Sequence, residues 1–179
     1  GWIVLEKDER VFEAASAISY TDLLDDPVVY WQHKLYKPLA LLVCYALPTL
    51  VPYVAWHDSL LVGLFVPGLL RHVLMLHASF FVNSLAHMWG YRPYETSLGS
   101  YENLFVKLLA IGEGFHNYHH TFPHDYATSE FGSVYLNFTK LFIDFMALMG
   151  QAYDRNKISA EAVLNRRKRT GDLQTKQND

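Results

Sequence analysis

The sequence is poor in charge and almost without cysteine. Charged residues make up 18% of its 179 positions, below the ~25% usual in soluble domains, which tilts the chain toward a membrane. The formal net charge is only −3, and no basic run alternates with aromatics along one element. Nucleic acid is therefore not an expected partner. The lone cysteine, Cys44, sits inside an apolar run, so no intramolecular disulfide is available and nothing points to an oxidising compartment. It reads as a small buried hydrophobe. An initiator Met is missing too: the chain opens Gly1-Trp2-Ile3-Val4-Leu5, too short and without the basic flank of a signal peptide. The expectation is a fragment whose amino-terminal part lies outside this sequence. No internal repeat is visible, and the length suits a single domain.

What is plentiful is apolar surface, with hydrophobic residues at 51% and aromatics at 15%. Leu39 to Trp56 runs through eighteen residues without a charge, close to the ~20 that cross a bilayer core. Pro48 and Pro52 would kink that span, which neighbouring helices accommodate. After the short turn His57-Asp58-Ser59, Leu60 to Phe81 is apolar again apart from Arg71, His72 and His77. Two spans and a tight turn make a helical hairpin. Of fifteen Lys and Arg, four precede Leu39 and ten follow Tyr91, so both ends of the hairpin are expected on the cytosolic side. Arg71 falls near mid-span, where a charge is expensive, and reads as a snorkelling or paired structural residue, not a catalytic one.

Upstream, Asp25-Asp26-Pro27 predicts a helix start, with Val28 to Tyr36 helical. Downstream, Ser100 is expected to cap a helix over Tyr101 to Ile111. A helix over Asn137 to Met149, ending near Gly150, would pack on the cytosolic part or lie at the interface. Ile158 to Arg169 predicts an amphipathic helix whose Arg166-Arg-Lys-Arg169 end would meet anionic lipid or simply solvent. A polar tail closes the chain.

The chemistry gathers at Gly112-Glu-Gly-Phe-His-Asn-Tyr-His-His-Thr-Phe-Pro123. His116, His119 and His120 fall on neighbouring positions of one helix face, and neutral imidazoles suit iron, copper, nickel or zinc. Gly112 and Gly114 would loosen the backbone before them, and Pro123 would end the turn. Asn83 and His87, spaced i, i+4 at the end of the second span, offer an amide and an imidazole, and Phe80 lies on the same stripe. His72 and His77, deeper and without a partner at ligand spacing, read as structural. Glu113, Asn117 and Asp125 are candidate acceptors for the imidazole N–H groups turned away from a metal. With no cysteine nearby, structural zinc is disfavoured; an all-nitrogen site beside an apolar stripe fits iron and oxygen chemistry on a lipid chain.

These residues resemble the membrane fatty acyl-CoA desaturases of the stearoyl-CoA type. Gly112 to His120 with Phe122-Pro123 and Asp125-Tyr126 is similar to that family's third histidine box. Asn83-Ser-Leu-Ala-His87 with Gly90-Tyr-Arg-Pro-Tyr94 is similar to its Asn and His motif. The likeness continues through Tyr36-Lys-Pro38, Leu47-Pro-Thr-Leu-Val-Pro52 and Ala152-Tyr-Asp-Arg155.

The resemblance implies that His87, His116, His119 and His120 are iron ligands, that Asn83 reaches the metal through a water, and that Phe80 lines an acyl tunnel. No catalytic residue separate from the metal ligands is expected. It implies two iron ions in a non-haem di-iron centre, with the remaining ligands in two histidine boxes upstream of this chain, so the fragment alone would be inactive. Long-chain acyl-CoA, O2, cytochrome b5 as electron donor and membrane lipid are the implied partners. Lys7 would keep half of a basic pair that grips the CoA phosphates, while Glu6 would repel them. The implied location is the endoplasmic reticulum membrane, multi-pass, with the metal site cytosolic.

The expected fold is all-α: a membrane hairpin with a cytosolic, His-rich helical metal region, a piece of a four-span protein. Its parts would be a cytosolic connecting segment at 1–38, the hairpin with an extended second helix at 39–90, the metal-binding region at 91–170, and a disordered tail at 171–179. A related membrane lipid hydroxylase and a non-catalytic truncated copy are the alternatives.

Overall fold

The computed structural model describes residues 5–130 and 137–172. The tail expected to be disordered lies outside them from residue 173 on. Among the described residues all regular elements are helical, and the chain divides into two compact units, residues 1–72 and 73–179.

The first unit opens with α1 (Glu9–Ser16), capped by the Asp8 carboxylate, which accepts from Arg10 N at 3.0 Å. After α2 (Thr21–Asp25), Asp26 caps α3 (Pro27–Lys34) by accepting from Val28 N and Val29 N at 2.8 and 3.4 Å. Pro27 occupies the first turn, where its missing N–H costs nothing. The expected start is therefore found, although the helix closes at Lys34.

Helices α4 (Tyr36–Trp56) and α5 (Leu60–His87) are long and apolar enough to cross a membrane. Only 6% and 11% of their most apolar windows is buried, so most of this surface is turned outward, an arrangement water would penalise. His57, in the left-handed conformation at φ 58°, closes α4, and Ser59 Oγ caps α5 by accepting from Val62 N at 3.2 Å. Gly63 has a packing reason. A Cβ there would stand 2.4 Å from the Thr49 carbonyl oxygen, so glycine lets the two helices approach closely.

Both helices carry a π-helical stretch, Leu42–Ala46 in α4 and Leu64–Leu70 in α5. Pro48 has no N–H, so the carbonyl four residues earlier, on Cys44, lacks its usual helical donor. Arg71 supplies one. Its Nη2 donates to Cys44 O and its Nε to Pro67 O, both at 2.7 Å. The mid-span charge thus acts as a donor to carbonyls, which is why it is tolerated in apolar surroundings. His72 packs against Tyr45, the rings tilted by 51° with centroids 5.2 Å apart.

In the second unit α5 stays α-helical to Asn83, then tightens into a 3-10 turn over Leu85–His87. Asn83 and His87 are therefore not on one regular helical stripe. Next comes a loop held by two isolated bridges, Tyr91 with Glu102 and Glu102 with Phe115. Because Glu102 pairs on both sides, the chain there is extended and the next helix starts late. That helix, α6 (Leu104–Leu109), is capped by Asn103, whose Oδ1 accepts from Val106 N at 3.0 Å. Ser100, expected as the cap, is instead buried with its hydroxyl unpartnered.

Three helices complete the unit: α7 (His116–Thr121), α8 (Phe138–Leu148) and α9 (Ala160–Thr170). Ser159 caps α9, one residue into the expected element. Helix α8 keeps its polar side inward: Asn137 Nδ2 donates to Ala127 O at 2.6 Å, and Asp144 takes Tyr126 Oη at 2.8 Å, Arg155 Nη1 at 2.7 Å and Lys140 Nζ. Phe138, Leu141, Phe142, Phe145 and Leu148 are exposed. Two of the four basic residues at the end of α9 are already paired, Arg166 with Glu95 and Arg167 with Glu130, which leaves less charge for lipid than the sequence suggests. The core of this unit gathers Tyr94, Tyr118 and Val163, with Phe122 and Ile158 against them.

Candidate metal centre

The backbone delivers α7 to its place through tight glycines. Gly112 adopts φ 110°. A Cβ on Gly114 would stand 2.3 Å from Lys107 N and 2.6 Å from Asn103 O. The glycines do not loosen this segment, as the sequence suggested; they let it cross close against the start of α6.

Once placed, α7 is held by polar side chains that are almost wholly buried. Asn117 is 0% exposed. Its Oδ1 accepts from Tyr94 N and Glu95 N at 3.0 and 3.3 Å, and its Nδ2 donates to Glu95 O and Ser100 O at 3.0 Å each. Every hydrogen-bonding position of that amide is used. Tyr118 Oη donates to Asp125 Oδ2 at 2.8 Å, and Asp125 also accepts from Ala127 N and Ile158 N. Asn117 and Asp125, expected to receive imidazole N–H groups, are thus committed to anchoring the helix. Glu113 lines a small cavity with Asn83.

Three histidines converge. His116 Nε2 lies 2.8 Å from His87 Nε2 and 3.1 Å from His120 Nε2, and one ligand nitrogen from each of the three falls within 4.8 Å of the others. Imidazole–metal bonds of ~2.0–2.1 Å put adjacent donors roughly 3 Å apart, so the spacing fits a shared ion. His87 Nδ1 lies 2.9 Å from Gly99 O. A carbonyl only accepts, so that ring nitrogen carries the proton and Nε2 keeps its lone pair for the cluster. This backbone acceptor has no signature in the sequence.

The electrostatics agree. Burial, then the neighbouring His120, His87 and His119, push the His116 imidazole down to about 3, and burial lowers His120 as well. His116 is neutral at pH 7, the form that ligates metal. His119 stands beside the trio, its ring centroid 5.5 Å from that of His120 and 6.0 Å from that of His116. Its Nδ1 is buried without a partner. Among the described residues the convergent set is therefore His87, His116 and His120, with His119 adjacent.

Asn83 lies on α5, its Nδ2 3.5 Å from Ser79 O. It borders an apolar cavity of about 250 Å³ that Met75, Ala78, Val82, Leu109 and Glu113 also line. Phe80 is half-buried one turn earlier, its carbonyl accepting from Ser84 Oγ at 2.8 Å. His77 Nδ1 lies 2.8 Å from Val73 O, a contact within its own helix. Lys7 is exposed in the first unit. The carboxylate of Glu102, which the sequence reading passed over, accepts from Tyr118 N at 3.0 Å inside the first turn of α7.

Known proteins match the chain across this architecture. The sequence model of the fatty acid desaturase family matches residues 11–137. An acyl-CoA desaturase of Cyprinus carpio is 52% identical over 172 residues, covering 96% of this chain and 53% of the carp protein. An acyl-CoA desaturase of Ovis aries is 49% identical over 96% of this chain and 48% of its own length, and a stearoyl-CoA desaturase of Homo sapiens 47% identical over the same shares. The chain spans about half the length of these curated relatives. The family match runs through α4 and α5 and through all four histidines of the cluster region, and on that ground the chain belongs to the fatty acid desaturase family.

Proposed function

We propose that this chain contributes one wall of the metal site of a membrane acyl-CoA desaturase that introduces a cis double bond into a long-chain acyl-CoA. The observation that carries the reading is the convergence of the His87, His116 and His120 nitrogens, one at the foot of a membrane-length helix and two on α7. The donor set is all imidazole, which suits iron. His87, His116 and His120 would hold one ion. His119, with its buried unpartnered nitrogen, would serve a second, and Asn83 would reach a metal through water. Ligands for a complete di-iron centre would come from the part of the protein beyond this chain, within a four-span whole.

Iron with O2 supplies an oxidant for C–H bonds that carry no acidic proton, chemistry that side-chain acids and bases do not provide. The chain's own residues do the rest. His87 is held in one tautomer by Gly99 O. Asn117 fixes α7 so that the imidazoles meet without rearrangement. The cavity bordering Asn83 would receive part of the acyl chain, and Phe80 would line its path. Lys7 would contact the CoA phosphates. Electrons would arrive from cytochrome b5, and the protein would reside in the endoplasmic reticulum membrane with the metal site cytosolic.

The test is metal and product analysis of the full-length protein. Iron in the active preparation, and a product lighter by two hydrogens, are expected. Zinc in an active preparation would sink the iron assignment. A gain of one oxygen in the product would move the chain to the membrane hydroxylases, which share this kind of histidine site.

A further inference from the structure

We propose that Glu102 is the positioning residue of the metal-site helix: its buried carboxylate, paired with Lys107, caps α7 and sets where His116 and His120 stand. This rests on the metal-site reading above and assigns to it a residue outside the histidine motifs.

Helix α7 has no cap of its own. Phe115 occupies the cap position and offers no acceptor, and the first-turn N–H groups of any helix need one. Glu102, sixteen residues before Tyr118, fills the gap by accepting from Tyr118 N at 3.0 Å. Tyr118 is the third residue of α7, between His116 and His120, so this bond fixes the turn that carries both. An anion there also meets the positive end of the helix. The main chain of Glu102 grips the same place, bridging to Phe115 on one side and Tyr91 on the other.

The carboxylate is 2% exposed, and a buried charge without a partner is costly. Lys107 is that partner. Its Nζ stands 2.7 Å from Glu102 Oε2, 4.1 Å from the Phe115 ring centroid and 3.3 Å from Tyr91 Oη. One carboxylate oxygen thus serves the helix and the other the ammonium. Burial raises the Glu102 carboxyl above its ordinary value while Lys107 opposes that rise. Glutamine cannot replace it. An amide oxygen turned to Tyr118 N would leave its NH2 facing the ammonium, two donors together. Glu102→Gln/Lys107→Met removes that clash and leaves a neutral pair of similar volume, with an oxygen still able to accept from Tyr118.

The experiment uses the full-length protein, stripped of metal by chelator and reloaded with Co2+ as the probe. Affinity is read by chelator competition and ligand geometry by the cobalt visible absorption. Glu102→Gln is expected to weaken Co2+ binding by about 10-fold or more, the scale at which outer partners act on metal sites, and to shift the cobalt spectrum. Glu102→Gln/Lys107→Met should recover part of both. Asp144→Asn, at the carboxylate that ties α8 to Tyr126, Arg155 and Lys140, should lower stability while leaving the cobalt spectrum unchanged. A Glu102→Gln protein with wild-type affinity and spectrum overturns the proposal. If that variant does not fold, Glu102→Met/Lys107→Met, which removes the acceptor for Tyr118 N without leaving a buried charge unpaired, decides: wild-type affinity and spectrum overturn the proposal, weakened binding with a shifted spectrum supports it. Wild-type protein whose cobalt signal is indifferent to His116→Ala overturns the metal-site reading itself, a result distinct from either.

Discussion

His87 and His116 bring their Nε2 atoms to 2.8 Å across 29 residues of sequence. One closes a membrane-length helix and the other opens α7, so neither element holds the site alone. Removing either imidazole in the full-length protein should lower metal affinity by more than the ~10–100-fold that loss of an outer partner costs. His77→Ala, whose ring bonds only within its own helix, should leave metal content unchanged. Metal content by elemental analysis of the three purified variants checks this.

Asn117→Ala should destabilise the second unit by about 3 kcal/mol or more, because two N–H and two C=O groups lose their partner together. Thermal unfolding in detergent reads the loss. Metal affinity should fall alongside, since the amide is what ties α7 to the loop from Tyr94 to Ser100.

Arg71→Met should destabilise the hairpin by about 1–3 kcal/mol for each carbonyl left without a donor. Adding Pro48→Ala returns an N–H to the helix opposite Cys44 O, so the double variant should be more stable than Arg71→Met alone. Unfolding of the four proteins of the cycle measures the coupling; strict additivity would contradict the donor role.

The docking of α8 should weaken in acid. Lys140, first, and then Tyr126 and Arg155 hold the Asp144 carboxyl below its ordinary value of 3.8, against a partial rise from burial. A carboxyl depressed in the folded state stabilises it above the unfolded value, and that contribution fades as pH falls through the folded one. Amide exchange in α8 should therefore speed up as pH falls below about 4, after correction for intrinsic rates, and Asp144→Asn should remove that acid dependence.

The hairpin was readable because an uncharged run and a His-Asp-Ser turn leave few alternatives, and the Asp26-Pro27 start because capping is local chemistry. The π-helical stretches and the bond from Arg71 to Cys44 O were not readable, since the residues joined lie on different helices, 27 apart in sequence. The helix expected from Tyr101 begins instead at Leu104 because Glu102 is claimed by pairings on either side. The histidine spacing pointed to a candidate metal site, while membership of the convergent set was decided by tertiary placement, which brings His87 in and sets His119 alongside. Glu102 stayed hidden because the residues it holds at the start of α7, Phe115 and Tyr118, lie 13 and 16 residues away, beyond any short motif.

Arg71 also bears on how the chain enters the bilayer during synthesis. Helix α4 leaves the ribosome first, with the Cys44 carbonyl still lacking its donor, and α5 follows with a charge that costs roughly 2.5–3.5 kcal/mol at mid-membrane on its own. Arg71 and the Cys44 carbonyl meet across the two helices, so the hairpin is expected to insert more readily than α5 alone. Translocon assays should find α5 inserting less efficiently alone than behind α4, with Arg71→Leu removing most of the difference.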